Sequence, residues 1–286
     1  MRLGSIEFIN SLPVDLGIVC GAVPCPASIT AGTPAILNEM ILKGELDISP
    51  ISVFWYGKHQ RDFMLLPDLS ISSESGVESV ILFSRFPLKD LNGKKIAFTG
   101  KGRTTPVLLE ILTFFRYGFR PVLLNLDPGA EVIPEGFDAA LLIGDDALYA
   151  KEKIKNTSLL AVDLAEAWQV WTGLPIVFAV WAARRDSFLK NPAAIQDTHH
   201  AILQSKKWGL SHLDEVLRFA EQKTKLPPAV LKRYLSRLSY GFDKNLENGM
   251  RLYLDYAAKC GLISPAGEFE QMTTATESRQ AVGCQP

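Results

Sequence analysis

The chain has 286 residues, 47% of them hydrophobic and 21% charged, which is the balance of a folded globular protein and not of a disordered, collagenous or coiled-coil one. Thirty Lys and Arg stand against thirty-one Asp and Glu, a formal charge of −1, which argues against a nucleic-acid binder but leaves room for a local basic pocket. At ~100–200 residues per domain, this length suggests about two domains.

Ile6–Ile9 reads as a strand, followed by Asn10-Ser11-Leu12-Pro13 and a helix over Val14–Val19. Pro34–Lys43 has the apolar spacing of a helix, with Leu37 and Ile41 on one face and Gly44 to end it. Leu46-Asp47-Ile48 is a short strand, and Ser49-Pro50-Ile51-Ser52 opens the next helix. Val77–Arg85 and Lys95–Thr99 are strands around a turn at Asn92-Gly93. Thr105–Tyr117 is a helix with Pro106 in its first turn, where a missing N–H costs nothing. Ala139–Ile143 is a buried strand, and Gly144-Asp145-Asp146 starts a helix. Leu160–Val162 is a strand, Leu164–Thr172 a helix and Ile176–Arg184 a long strand.

From Pro192 to Gly261 the chain turns helical. Three apolar stripes mark it: Leu213, Val216, Leu217, Ala220; then Leu231, Tyr234, Leu235, Leu238; then Leu246, Met250, Tyr253, Ala257. The last fourteen residues are polar and read as a frayed end.

Alternating strands and helices imply an α/β architecture. The long strands Val77–Arg85 and Ile176–Arg184 bracket a self-contained block and read as paired crossovers between two α/β domains. The expected division is a discontinuous first domain, 1–83 with 183–286 and its C-terminal helices, and an inserted second domain, 84–182. Such a fold holds its ligand in the central cleft, at strand C-termini and helix N-termini.

MRLGSIEFINSLP has one Arg and no apolar run of signal-peptide length, and the longest apolar run, Leu174 to Ala183, is far short of the ~20 residues of a membrane span. The expectation is a soluble, cytoplasmic protein without membrane or nucleic-acid partners, a monomer or weak homodimer. The four cysteines, Cys20, Cys25, Cys260 and Cys284, contain no CxxC pair. Cys20 and Cys25 share one loop-like stretch and could meet, although four unrelated thiols is the simpler reading.

The common catalytic motifs are missing: there is no GxxxxGK[ST], HExxH or GxSxG, and Gly100-Lys101-Gly102 is only superficially a phosphate loop. His59, His199, His200 and His212 are not spaced as metal ligands, and a surface role suits His199 and His200. Gly144-Asp145-Asp146 reads better as a helix start than as a metal site. What the chain does offer is hydroxyl and amide residues at strand-to-helix junctions: Asn10-Ser11, Ser49, Ser52, Ser70, Ser72, Ser79 and Thr104-Thr105. Helix N–H groups joined by hydroxyls bind carboxylates without a formal charge, and Arg103 could add one. Each of these residues can also be a helix cap and nothing more.

Six segments, in order, resemble one family. They are Phe8-Ile9-Asn10-Ser11-Leu12-Pro13, Gly44 to Ser52, Leu65 to Ile71, Ser79 to Arg85, Ala140 to Asp145 and Thr172 to Ala179. The family is chorismate dehydratase of the futalosine route to menaquinone, and the resemblance spans about residues 2–270. It implies a periplasmic-binding-protein-like type II fold. It also implies loss of water from chorismate to give 3-[(1-carboxyvinyl)oxy]benzoate, with no metal or organic cofactor. On this resemblance Asn10 and Ser79 are the catalytic side chains. Ser11, Ser49, Ser52, Gly102, Arg103, Thr104, Thr105, Gly144 and Asp145 are the candidate substrate-binding residues. Where the family commonly has Ser-x-Thr-Ser, this chain reads Gly102-Arg103-Thr104-Thr105, one hydroxyl fewer. A non-catalytic binding protein or sensor for a small carboxylate, and an enzyme like 1,4-dihydroxy-6-naphthoate synthase, are the alternative readings.

Overall fold

The structure is a computed structural model that describes residues 1–100, 102–126 and 131–272. Lys101, Cys284 and the C-terminal stretch read as frayed lie outside the described residues. In chain order the first elements are β1 (Arg2–Ile6), α1 (Leu12–Val19), β2 (Ser28–Gly32), α2 (Pro34–Leu42), β3 (Ile48–Ser52), α3 (Val53–Lys58) and β4 (Phe63–Ser73). Next come β5 (Val80–Ser84), β6 (Lys95–Phe98), α4 (Thr104–Tyr117), β7 (Val122–Asn125), β8 (Ala139–Ile143), α5 (Gly144–Lys153), β9 (Leu160–Asp163) and α6 (Leu164–Thr172). The chain then runs through β10 (Ile176–Arg184), α7 (Arg185–Lys190), α8 (Pro192–Ser211), α9 (Leu213–Thr224), α10 (Pro228–Leu235) and α11 (Lys244–Lys259).

Two five-stranded mixed sheets result, ordered β2-β1-β3-β10-β4 and β7-β6-β8-β5-β9. In the first, β1 runs parallel to β2 and β3, while β10 is antiparallel to β3 and β4. In the second, β6 is parallel to β7 and β8, and β5 is antiparallel to β8 and β9. The chain passes from the first sheet to the second through 74–79 and returns through 173–175. The expected boundaries at 83/84 and 182/183 therefore fall inside β5 and β10, each of which pairs within a single sheet. Here "first lobe" denotes the first sheet with α1–α3 and α7–α11, and "second lobe" the second sheet with α4–α6.

Local chemistry explains most of these elements. Thr33 caps α2 by accepting from the Ile36 N–H, and Pro34 sits where its missing N–H is harmless. Asp163 caps α6 the same way, and Gly173, at φ +71°, ends it in the left-handed region. The β10 sequence IVFAVWAAR is an apolar run because strands lie on both of its edges and helices on its faces. Four C-terminal helices complete the first lobe, with α8 packed on α1 and α11 on β10, α3 and α4.

Several expectations are corrected. The first strand is Arg2–Ile6, and Ile9–Ser11 is a short 3-10 turn. Ser49 to Ser52 is strand, and the helix waits until Val53. Ser70 and Ser72 lie within β4, hydrogen-bonded to each other at 3.0 Å, and are not at a helix start. His199 is buried, its Nε2 lying 2.9 Å from the Pro67 carbonyl oxygen. Cys20, Cys25 and Cys260 are all free thiols. No helix among the described residues is long and apolar enough to cross a membrane.

Candidate active site

A cavity of about 70 Å³ lies between the two sheets. The first lobe contributes Ile6, Phe8, Asn10, Pro34, Ser52, Ile71, Phe178, Ala179 and Leu238 to its walls. Ser79, Val80, Gly102, Arg103, Thr104, Thr105, Ile143 and Gly144 come from the crossover and the second lobe. Larger hollows of 630, 370 and 400 Å³ occur elsewhere, but each is lined by first-lobe residues alone. The small cavity gathers both lobes and the motif residues.

Asn10 sits in the turn between β1 and α1. The Ser11 hydroxyl closes this turn by donating to the Ile6 carbonyl at 2.9 Å and to that of Phe8 at 3.2 Å. Beneath the turn Asp15 is buried and accepts from the Ser5 hydroxyl at 2.8 Å. Burial pushes the Asp15 carboxyl up to about 7, against the pull of its hydrogen bonds from Ser5, Ser11 and Ile6. The Asn10 Oδ1 is buried without a hydrogen-bond partner among the described residues. An unmatched buried acceptor of this kind costs stability and marks a place where a ligand donor fits.

Ser79 stands at the entry to β5, immediately after Glu78, whose φ of +62° is unusual for a residue with a side chain. The Ser79 carbonyl accepts the Gly144 N–H at 2.8 Å, tying the start of β5 to the start of α5. Gly144 has φ +61°, and a Cβ there would lie 3.3 Å from the Phe8 ring. Phe8 of the first lobe thus covers the N-terminus of α5 in the second.

The α4 N-terminus forms the third wall. The Thr104 hydroxyl donates to the Phe178 carbonyl and accepts from the Phe54 N–H, both at 3.3 Å. The Tyr253 hydroxyl donates to the Thr104 carbonyl at 3.0 Å. The hydroxyl's proton is therefore committed to joining the lobes. Thr105 is buried beside it, and Arg103 is exposed where it lines the cavity. Pro106 follows, so the first turn presents the positive end of the helix dipole with few competing side chains. The site of the missing hydroxyl is filled: a Cβ on Gly102 would lie 3.0 Å from Ile143 Cδ1.

Asn10, Ser52, Ser79, Gly102, Arg103, Thr104, Thr105 and Gly144 are thus brought together, whereas Ser11, Ser49 and Asp145 do not line the cavity. Ser11 closes the Asn10 turn, and Ser49 donates to the Pro50 carbonyl at 3.0 Å behind Gly4. Ser52 accepts from Asn38 Nδ2 at 3.2 Å, which leaves its proton for the cavity. The apolar walls, Phe8, Ile71, Phe178 and Leu238 above all, were not legible in the sequence, because apolar side chains carry no sign of a ligand. One signal was available: Phe8 stands two residues before Asn10, at the start of the 3-10 turn. Among the described residues no group of three or more His, Cys, Asp or Glu is placed to hold a metal ion.

Comparison with known proteins gives the family and the fold. A family profile described as menaquinone biosynthesis matches residues 1–259. A chorismate dehydratase from Thermus thermophilus is 30% identical over 235 residues, 78% of this chain and 83% of that protein. A 1,4-dihydroxy-6-naphtoate synthase from the same organism is 25% identical over 274 residues, 93% and 97% of the two chains. Among solved structures, protein AF1704 from Archaeoglobus fulgidus superposes with a TM-score of 0.74 at 20% identity, covering 92% of this chain and 98% of that one. The periplasmic aliphatic sulphonate binding protein SsuA from Escherichia coli gives 0.64 at 17% identity, covering 93% and 94%. The fold is periplasmic-binding-protein-like, with two mixed sheets and no closed barrel.

Proposed function

The chain belongs to the menaquinone biosynthesis family, and we propose that its own reaction is the dehydration of chorismate to 3-[(1-carboxyvinyl)oxy]benzoate. The observation that supports this most is the unmatched, buried Asn10 Oδ1 in a cavity that otherwise offers hydroxyls and helix N-termini. Chorismate at neutral pH carries two carboxylates and one hydrogen-bond donor, its ring hydroxyl. The helix N-termini and serine hydroxyls suit the carboxylates, and the lone Asn10 acceptor suits the hydroxyl.

Elimination of that hydroxyl with the neighbouring ring proton makes the ring aromatic, so the protein has mainly to position the substrate and manage one proton. Among the described residues that line the cavity none is His, Lys, Asp or Glu. The base in this reading is the substrate's own enolpyruvyl carboxylate, held by Ser79 against the ring proton. Asn10 orients the departing hydroxyl. The apolar walls exclude water and strengthen both contacts. At 70 Å³ the cavity is smaller than the ~300 Å³ lower end of small-molecule sites, so Phe8 and Gly144 part to admit the substrate.

Incubating the protein with chorismate and identifying the product tests this. The enolpyruvyl-oxybenzoate is expected. Unchanged chorismate that nonetheless binds would make the protein a sensor, and 4-hydroxybenzoate would mean that a different bond breaks. Turnover of a downstream naphthoate precursor in place of chorismate would favour the synthase reading.

A further inference from the structure

The last turn of α10 touches the Glu78–Ser79 turn from outside the cavity. Arg233 Nε lies 3.1 and 2.9 Å from the two Glu78 carboxylate oxygens. Lys151 of α5 stands 3.3 Å from the same carboxylate, and Arg237, just past α10, 3.5 Å. Arg237 also donates to the Gly76 carbonyl at 3.2 Å, and the Glu78 N–H donates to Asp163 Oδ2 at 2.7 Å. Burial raises the Glu78 carboxyl, but Arg233 and Lys151 outweigh it and hold it below its ordinary value. A left-handed, non-glycine residue is thus gripped by its side chain and its backbone at once, and such strain persists only where the surroundings over-determine it.

We propose that α10 positions Ser79: Arg233 locks the left-handed Glu78 through its carboxylate and so fixes where the Ser79 side chain stands at the entry to β5. This rests on the chorismate reading for its kinetic consequence. Arg233 does not line the cavity, so it is a positioning residue and not a catalytic one.

The test uses the full chain with Arg233→Met, alone and combined with Ser79→Ala, after thermal melts establish that the variants fold. The Arg233 side chain is 44% exposed. The single change is expected to lower kcat about tenfold with KM within about twofold, and to have no further effect once Ser79 is alanine. Losses that multiply in the Ser79→Ala background, or an unchanged kcat, would overturn the proposal. A wild-type protein that leaves chorismate intact defeats the substrate reading, and a second measurement then decides the positioning. With nitrogen-15 in the serines, the Ser79 amide resonance, assigned by its loss in Ser79→Ala, should move on Arg233→Met. A resonance that stays in place would overturn the lock.

Discussion

The Ser5 hydroxyl donates to the buried Asp15 carboxylate at 2.8 Å, and these two residues bracket the loop that carries Asn10. Burial holds the Asp15 proton up to about pH 7, whereas in the unfolded chain it is lost near pH 4. Folding therefore takes up a proton across that window, and stability falls as pH rises through it, by about 4 kcal/mol at most. Asp15→Asn removes that penalty. We expect its melting temperature to exceed wild type at pH 8 and the gap to close toward pH 4. A gap that stays constant with pH would contradict the assignment.

Asn10→Ala and Ser79→Ala should each lower chorismate turnover by roughly 10²-fold or more, the scale of one lost preorganised hydrogen-bonding group. Steady-state kinetics on purified variants measure this. Normal turnover by both would displace the site from this cavity.

Thr104→Val should act mainly on stability. The change leaves the Phe54 N–H and the Phe178 carbonyl without their shared partner, a loss of about 1–3 kcal/mol. Urea denaturation should show a lower midpoint. A changed KM at unchanged stability would instead make the hydroxyl a substrate contact.

Gly144→Ala combines a positive φ with a Cβ 3.3 Å from the Phe8 ring. We expect a loss of about 1 kcal/mol and a lower kcat/KM, because Phe8 must move off the α5 N-terminus. An alanine variant with wild-type stability and kcat/KM would show that neither the turn nor the Phe8 contact matters.

Much of this was legible in the sequence. The helices at Pro34 and Thr104 announce themselves through a Pro in the first turn and clean apolar spacing. β4 was hidden because Pro67 and Asp68 interrupt it. Its register explains how it survives: Val180 pairs with Ser70 and Ala182 with Leu65, so residues 66–69 bulge outward opposite Trp181. Asp68 takes φ +58° there, and α8 holds the bulge through Lys206 to Asp68 at 2.7 Å and His199 to Pro67. A buried histidine whose partner is a backbone carbonyl 132 residues away has no local signal. β1 was misframed because Arg2, Gly4 and Ser5 weaken its strand character. Gly4 is needed there, since a Cβ would come 2.3 Å from the Ser49 Oγ on the neighbouring strand. The polar side chains of the site were readable from the loops. Their apolar lid and the commitment of Thr104 were not, because both arise from contacts between the lobes.

β10 lies between β3 and β4 in the first sheet, yet roughly a hundred residues separate it from β4 along the chain. During synthesis β4 must therefore wait as an unpartnered edge while every strand of the second sheet emerges and can pair. The inserted lobe is able to fold first, and the older part of the chain finishes last. A ribosome stalled just before Ile176 should display a formed second sheet beside an unfinished first one, and release of the nine-residue β10 is the event that closes the molecule.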